Sequence, residues 1–423
     1  MLFGCPHFKV VETPLSSYLE ERFGYRGEYL KYMPSFSSDS YTISQPGDLK
    51  YRNSKNVNGY PYFEVPVSII SDEISWFLEA HSLFDNCFIF RYGDTHPHKI
   101  IPKLAQCRNI ALAEMLYSLT LAKEPSRKLV YLIGDISKKT INSFISALSI
   151  DVCPEQVRDF FFYGEAFSLD EAWNQYVDTS IDLLNQFLDV NGFIHPTFVR
   201  ESSFYVSTNS ISSSVARYGL KDGIRQDGFP TYLLQELVSF LCLLKGTNPV
   251  VFNLIGDNQA EHIKSVHQVL NEQRIADCVL LTHGICKRGE DRIPEHWSSF
   301  LPRATKLADY MRFLALSTKP DTILDFSLNE QYLKRWSHFQ ESIKSVNRRS
   351  SDKVSNENQV QMLFKMGLVN YALRKSVMTG NPSVFYRFIM EIVNSGCISY
   401  TPLPPQFPHF IQKCLSILSL TLK

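Results

Sequence analysis

Tyr232 and Glu236 stand four residues apart in the run TYLLQELVSFLCLL, residues 231–244. On a helix that spacing puts a phenol and a carboxylate on one face, pointing into one cavity. A lone carboxylate in so apolar a helix is costly to bury unless a cation meets it, and a planar guanidinium matches a carboxylate through paired hydrogen bonds. The cation is either a bound ligand or an internal arginine such as Arg217 or Arg225; a third arrangement leaves Glu236 on a wet edge. Gln259 follows the apolar run 250–255, at the carboxyl end of an expected parallel strand, where open α/β sheets place ligands. A second chemical group lies in GDTHPHK, residues 93–99, again just after an apolar run. Thr95 offers a hydroxyl nucleophile there, with His96 or His98 as base. The bland reading of the same loop is an exposed turn that shapes the pocket.

Lys334, Arg335, Lys344, Arg348, Arg349 and Lys353 form a basic cluster that either meets phosphates or is a solvated helix face. Lysine plus arginine equals aspartate plus glutamate at 43 each, so the molecule as a whole is no polycation and any contact with nucleic acid must be local. His262 and His267, five apart, point to different faces of a helix, which argues against a metal pair. The nine cysteines are scattered and never spaced C-x-x-C, which argues against zinc and against a disulfide framework, and fits a reducing compartment. No metal or cofactor is expected. The N-terminal stretch lacks a basic segment followed by a long apolar run, and no stretch reaches 18 apolar residues. A cytoplasmic protein with no membrane and no DNA partner is expected.

The elements that must position these residues follow an α/β rhythm. Residues 1–80 are rich in Ser, Pro, Tyr and Gly and read as an appended N-terminal region. Residues 81–302 read as a Rossmann-like catalytic domain. It has apolar runs at 87–90, 129–133, 250–255 and 278–282, and helical stretches at 101–121, 138–148, 232–245 and 259–272. Residues 151–215, acidic-aromatic and then Ser-rich, break the rhythm and read as an insertion between two halves of the sheet. Residues 303–423 show only helical periodicity and read as a helical C-terminal domain. The 44% hydrophobic and 20% charged content gives such a chain a real core.

Three stretches resemble one family in its own order. DGFPTYLLQE, residues 227–236, is similar to the D-G-x-P-T-Y-L-x-x-[D/E] stretch of the arginyl-tRNA synthetases, in which the tyrosine and the acid hold the substrate guanidinium. VVFNLIGDNQAEHIKSVHQVL, residues 250–270, looks like the family's strand–turn–helix, whose glutamine also contacts arginine. KPDTILDFSL, residues 319–328, looks like its passage into the anticodon-binding helices. The resemblance covers residues 85–420. It implies an α/β fold, the Rossmann-like parallel sheet of a class I aminoacyl-tRNA synthetase core with an all-helical, anticodon-binding-like C-terminal domain. It also implies an arginine pocket of Tyr232, Glu236 and Gln259, with tRNA on Lys334, Arg335, Arg348 and Arg349.

Two family signatures are missing. Class I synthetases carry H-I-G-H, whose glycine admits adenine, and K-M-S-K-S, whose lysines stabilise pyrophosphate. Alignment back from Arg108 puts KLAQ, residues 103–106, in the place of the first; His96-Pro97-His98 is a looser candidate without the glycine. The second is reduced to Lys287 and Arg288 in HGICKRGEDR. An arginine pocket without these groups implies a consumer of arginyl-tRNA, and in that logic the chain resembles the fungal cyclodipeptide synthases that make arginine-containing products; the resemblance implies that it joins arginyl-tRNA and a second aminoacyl-tRNA into cyclo(Arg-Xaa) without ATP. Two alternatives stay open: a divergent arginyl-tRNA synthetase, and a non-catalytic protein that binds tRNA or arginine.

Overall fold

The computed structural model describes residues 8–25, 31–33, 40–44, 54–57, 60–79, 81–122, 125–149, 153–163, 169–204, 231–244, 249–256, 260–272, 276–283, 286–288, 291–292, 306–325, 329–347, 356–398, 404 and 406–418. Helix α1 (Pro14–Phe23) begins where the Thr13 hydroxyl accepts from the Ser16 amide and Pro14 fills a position that needs no N–H; Gly24 ends it at φ +68°. Strands β1 (Lys31–Met33), β2 (Ser40–Ser44), β3 (Lys55–Val57) and β4 (Tyr60–Pro66) form an antiparallel sheet in the order β1-β2-β4-β3, and α2 (Val67–Leu78) follows. This N-terminal region, expected as an appendage, shares its core with the rest of the chain. Leu15, Leu19, Phe63, Ile70 and Phe77 belong to the same buried cluster as Val369 and Phe410. Glu73 ties it down further, accepting from the Leu15 amide and from Asn370 Nδ2, both at 2.8 Å.

The central sheet is built from β5 (Phe88–Thr95), β6 (Arg127–Ile133), β7 (Thr197–Arg200), β8 (Val250–Gly256) and β9 (Asp277–His283), all parallel, in the order β7-β6-β5-β8-β9. Its inner strands are mostly apolar because helices cover both faces, with Arg91 and Asn253 as buried polar exceptions. Phe88, Phe90, Tyr131, Phe252 and Val279 face one core, on the side of α3 (Leu104–Leu119). Ile89, Val130, Val251 and Cys278 face the other. There they meet Leu237 and Phe240 of α7 (Tyr232–Leu243) and Val266 and Leu270 of α8 (Ala260–Glu272). Between β6 and α7 lie α4 (Lys138–Leu148), α5 (Pro154–Tyr163) and α6 (Asp170–Asn191).

Two differences from the sequence expectation concern this sheet. β5 does not stop where the apolar run stops at Phe90 but continues through Arg91 to Thr95, because the arginine is neutralised where it is buried. β7 lies inside residues 151–215, the stretch expected to interrupt the sheet, and supplies its edge. Being only half buried, it needs no apolar run and reads as polar TFVR.

Beyond the sheet, α9 (Leu307–Ser317) packs on α3, and α10 (Asn329–Asn347), α11 (Asn356–Gly367), α12 (Val369–Met378), α13 (Ser383–Ile398) and α14 (Phe407–Ile417) complete the helical C-terminal part. One short ladder interrupts it: the two-residue strand Leu324–Asp325 pairs with Cys286–Arg288, too brief for periodicity to reveal.

Candidate functional site at the switch point of the sheet

The chain builds outward from β5 through β6 to β7, then crosses back to β8, so the strand order reverses between β5 and β8. A crevice for ligands opens at the carboxyl ends of two such strands. Thr95 is the last residue of β5. Gly93, two residues earlier, has φ +82°, and a Cβ there would lie 2.7 Å from the Tyr131 ring, so only glycine fits.

His96 follows the strand and His98 sits in the short turn Pro97–Lys99. Their rings stack, with centroids 5.4 Å apart and planes 10° from parallel. His96 Nδ1 lies 2.7 Å from the Gly134 carbonyl oxygen. A carbonyl can only accept, so Nδ1 carries the proton, and Nε2 of the neutral ring holds the available lone pair. His98 Nδ1 lies 3.4 Å from the Thr140 hydroxyl, which also reaches the Gly134 oxygen. Burial, then the neighbouring His96, Lys99 and Lys139, lowers the pKa of His98 and favours its neutral, basic form. Asp135, next to Gly134, is wholly buried and takes both of its Ser202 bonds, from the amide at 2.8 Å and from the hydroxyl. Burial raises its pKa to about 6 against the effect of those bonds.

The other half of the crevice begins with Tyr232, the first residue of α7, held by Thr231, whose hydroxyl accepts from the Leu234 amide. One turn further in, Glu236 is buried, and an internal arginine meets it. That arginine is Arg91, whose Nη2 lies 2.6 Å from Glu236 Oε2. Arg217 and Arg225, the internal candidates named from sequence, lie outside the described residues, as does Gln259. Arg91 Nη1 donates to Asn253 Oδ1 at 3.1 Å, and the guanidinium carbon stands 4.6 Å over the Phe240 ring. Asn253 Nδ2 in turn lies 3.4 Å from His267 Nε2. Burial, with Arg91 nearby, lowers the His267 pKa to about 3, so that imidazole is a neutral core group.

Sequence reading passed over Arg91 and Asn253. Their signal was present: a charge and an amide set at equivalent positions of two otherwise apolar strands, which the register pairs as Arg91↔Asn253.

The two segments aligned in sequence with H-I-G-H and K-M-S-K-S lie at the start of α3 and in a short strand. Lys103 is the N-cap of α3, and Gln106 Oε1 accepts from the Lys103 amide at 2.8 Å. Arg108 donates to the carbonyls of Thr322 at 2.6 Å and Lys319 at 3.1 Å, tying α3 to the segment after α9. Lys287 and Arg288 lie in a strand paired on both sides. Of the basic cluster, Lys334, Arg335 and Lys344 are exposed on α10, while Arg348, Arg349 and Lys353 lie outside the described residues. Among the described residues no group of His, Cys, Asp and Glu is placed to hold a metal, and no helix is long and apolar enough to cross a membrane.

No family model matches the sequence, and no curated protein does. Solved structures do. An arginyl-tRNA synthetase from Thermus thermophilus superimposes with a TM-score of 0.59 at 11% identity, over 97% of this chain and 98% of that one. The arginyl-tRNA synthetase of Plasmodium falciparum gives 0.60 at 10% identity, over 88% of this chain and 85% of that one. At that identity the likeness is one of architecture: the five-stranded parallel sheet and its helices have the fold of class I aminoacyl-tRNA synthetases, arginyl-tRNA synthetase-like in its core.

Proposed function

We propose that this protein consumes arginyl-tRNA and joins its arginine to a second aminoacyl-tRNA, releasing a cyclo(Arg-Xaa) diketopiperazine without ATP. The observation that carries this reading is a mismatch within one fold. Residues 231–236, the end of the DGFPTYLLQE stretch, open α7, whereas Lys103 to Gln106 stand at the positions aligned with H-I-G-H, where Gln106 Oε1 accepts from the Lys103 amide at the start of α3. The carboxyl edge of β5 carries a stacked histidine pair instead. Without groups for adenine and pyrophosphate, adenylate formation loses two contributions that each matter by orders of magnitude in rate. An ester already made on tRNA needs neither.

In this mechanism Tyr232, Glu236 and Gln259 orient the arginyl group. The α-ammonium of one aminoacyl ester loses a proton to His96 Nε2 or His98, and its amine attacks the carbonyl of the other ester. An amide forms, the ester C–O bond breaks, and the tRNA ribose hydroxyl leaves with a proton. Thr95 serves as nucleophile where the first acyl group rests on the protein. A second aminolysis within the dipeptidyl ester closes the ring. Lys334, Arg335, Arg348 and Arg349 meet the tRNA backbone.

Incubation with arginyl-tRNA and a mixture of other charged tRNAs, followed by mass spectrometry, should show cyclo(Arg-Xaa), and none should form when ATP and free amino acids replace the charged tRNAs. The superposition over nearly the whole length of a synthetase favours a second reading, a divergent arginyl-tRNA synthetase. Arginine-dependent ATP–pyrophosphate exchange decides for that reading and against the first.

A further inference from the structure

α7 begins at Tyr232 and carries Glu236 one turn further along, and β8, which follows it, pairs with β5 so that Asn253 stands beside Arg91. Arg91 lies two residues before Gly93 on β5. In the arginyl-site reading, the buried Arg91–Glu236 pair is the floor of the site. The floor already offers what a bound guanidinium requires. Glu236 supplies a carboxylate oxygen at 2.6 Å, Asn253 an amide oxygen at 3.1 Å, and Phe240 an aromatic face at 4.6 Å. All of these partners hold a guanidinium that belongs to the chain.

We infer that Arg91 is the resident guanidinium of this pocket, a specificity-determining residue that occupies Glu236 until the arginyl group of a charged tRNA takes its place. This rests on the reading of the crevice as an arginyl site. Among the described residues the two charges there, Arg91 and Glu236, cancel, so a second cation meets a neutralised carboxylate and is repelled by Arg91. Arginine enters by exchange. Free arginine offers one guanidinium for another and loses its translational freedom, so exchange gives it no net advantage. Arginyl-tRNA brings contacts along its phosphates as well, and these supply the surplus that moves Arg91 aside. The device separates the ester from the free amino acid, which a consumer of arginyl-tRNA has to refuse and an arginine-activating enzyme has to bind.

The test uses the full chain. Wild type and Arg91→Met, which keeps an apolar stem on Phe240 and removes the charge, are titrated with L-arginine by calorimetry. The variant should bind at least tenfold more tightly than wild type, and adding Glu236→Gln should abolish the gain. Equal affinity in the two proteins, or equal failure to bind, overturns the inference. If Arg91→Met melts too low to titrate, Arg91→Ala gives an independent reading. Millimolar guanidinium should raise its melting temperature above that in equal sodium chloride, with no such rise in wild type; no selective rise overturns the inference. The two proposals fail separately. A wild type that makes no cyclo(Arg-Xaa), beside an Arg91→Met that gains arginine binding, ends the functional reading and leaves this one. Product from a wild type that binds free arginine as tightly as the variant does the reverse.

Discussion

Two buried arginine–glutamate pairs lie on opposite faces of the central sheet, and they are built differently. On the α3 face, Arg312 reaches Glu114 Oε2 with Nε at 2.8 Å and Nη2 at 2.7 Å; its Nη1 meets Asp309 at 3.3 Å and its Nη2 also meets the Gly192 carbonyl at 3.0 Å. Glu114 Oε1 accepts from the Ile194 amide. That pair joins α3, α9 and the end of α6, with every nitrogen of the guanidinium engaged. On the α7 face, Arg91 reaches Glu236 and Asn253, and its Nε has no acceptor among the described residues. A guanidinium held from every side is scaffold. One held from two is the guanidinium to which the exchange proposed above is assigned.

The largest effect that could break this comparison comes from Arg312→Met. Removing one partner of a buried pair leaves the other uncompensated, which costs about 3–5 kcal/mol. Urea unfolding should show a loss of that size, and arginine should not restore it. Arg91→Met should cost less, because Arg91 makes two polar contacts where Arg312 makes four, one of them to a second carboxylate. Equal losses for the two variants would remove the distinction between scaffold and site.

The two pairs also differ in how far they could be read from the sequence. Glu236 in an apolar helix left three arrangements open, a bound cation, an internal arginine or a wet edge, and the fold sets an internal arginine, Arg91, against it. The identity of the cation did not follow, since Arg91 ends an apolar run and reads as the end of a strand. Each charge is anomalous alone; the pair is ordinary, and only the fold brings the two together. The α/β rhythm and the parallel sheet were legible because strands buried on both faces are mostly apolar. β7 was not, because an edge strand buried on one side carries no such run. HPH after β5 was legible as chemistry, but the carbonyl of Gly134 that fixes the tautomer of His96 comes from just beyond the neighbouring strand and has no signature in sequence.

A third buried acid sharpens the comparison, since Asp135 rests on Ser202 bonds with no cation among its hydrogen-bond partners. Burial is the main cause of its rise from 3.8 to about 6. Its folded pKa lies above the unfolded one, so its contribution to stability is fully present below pH 3.8 and is lost as pH rises through about 6. At about 1.4 kcal/mol per unit the loss reaches roughly 3 kcal/mol. Asp135→Asn keeps the shape and one acceptor but cannot ionise. Unfolding free energies taken from pH 4 to pH 7 should show wild type losing up to that amount relative to the variant. Parallel profiles would mean that Asp135 stays ionised where it is buried.

The smallest expected effect on stability lies on α10, and it tests the other end of the scale, charges on an exposed face. Lys334 and Arg335 are exposed, so Lys334→Glu with Arg335→Glu should change unfolding free energy by no more than about 0.5 kcal/mol. Their role is measured by binding to tRNA. If the two side chains meet phosphates, each released counterion contributes close to one unit to the dependence of log affinity on log salt, with about 0.7 for single strands. The double variant should then bind tRNA more weakly at low salt with a shallower slope, and converge on wild type as salt rises. Unchanged affinity and slope would make α10 a solvated face. It would also move the surplus energy that Arg91 exchange requires to another part of the tRNA surface.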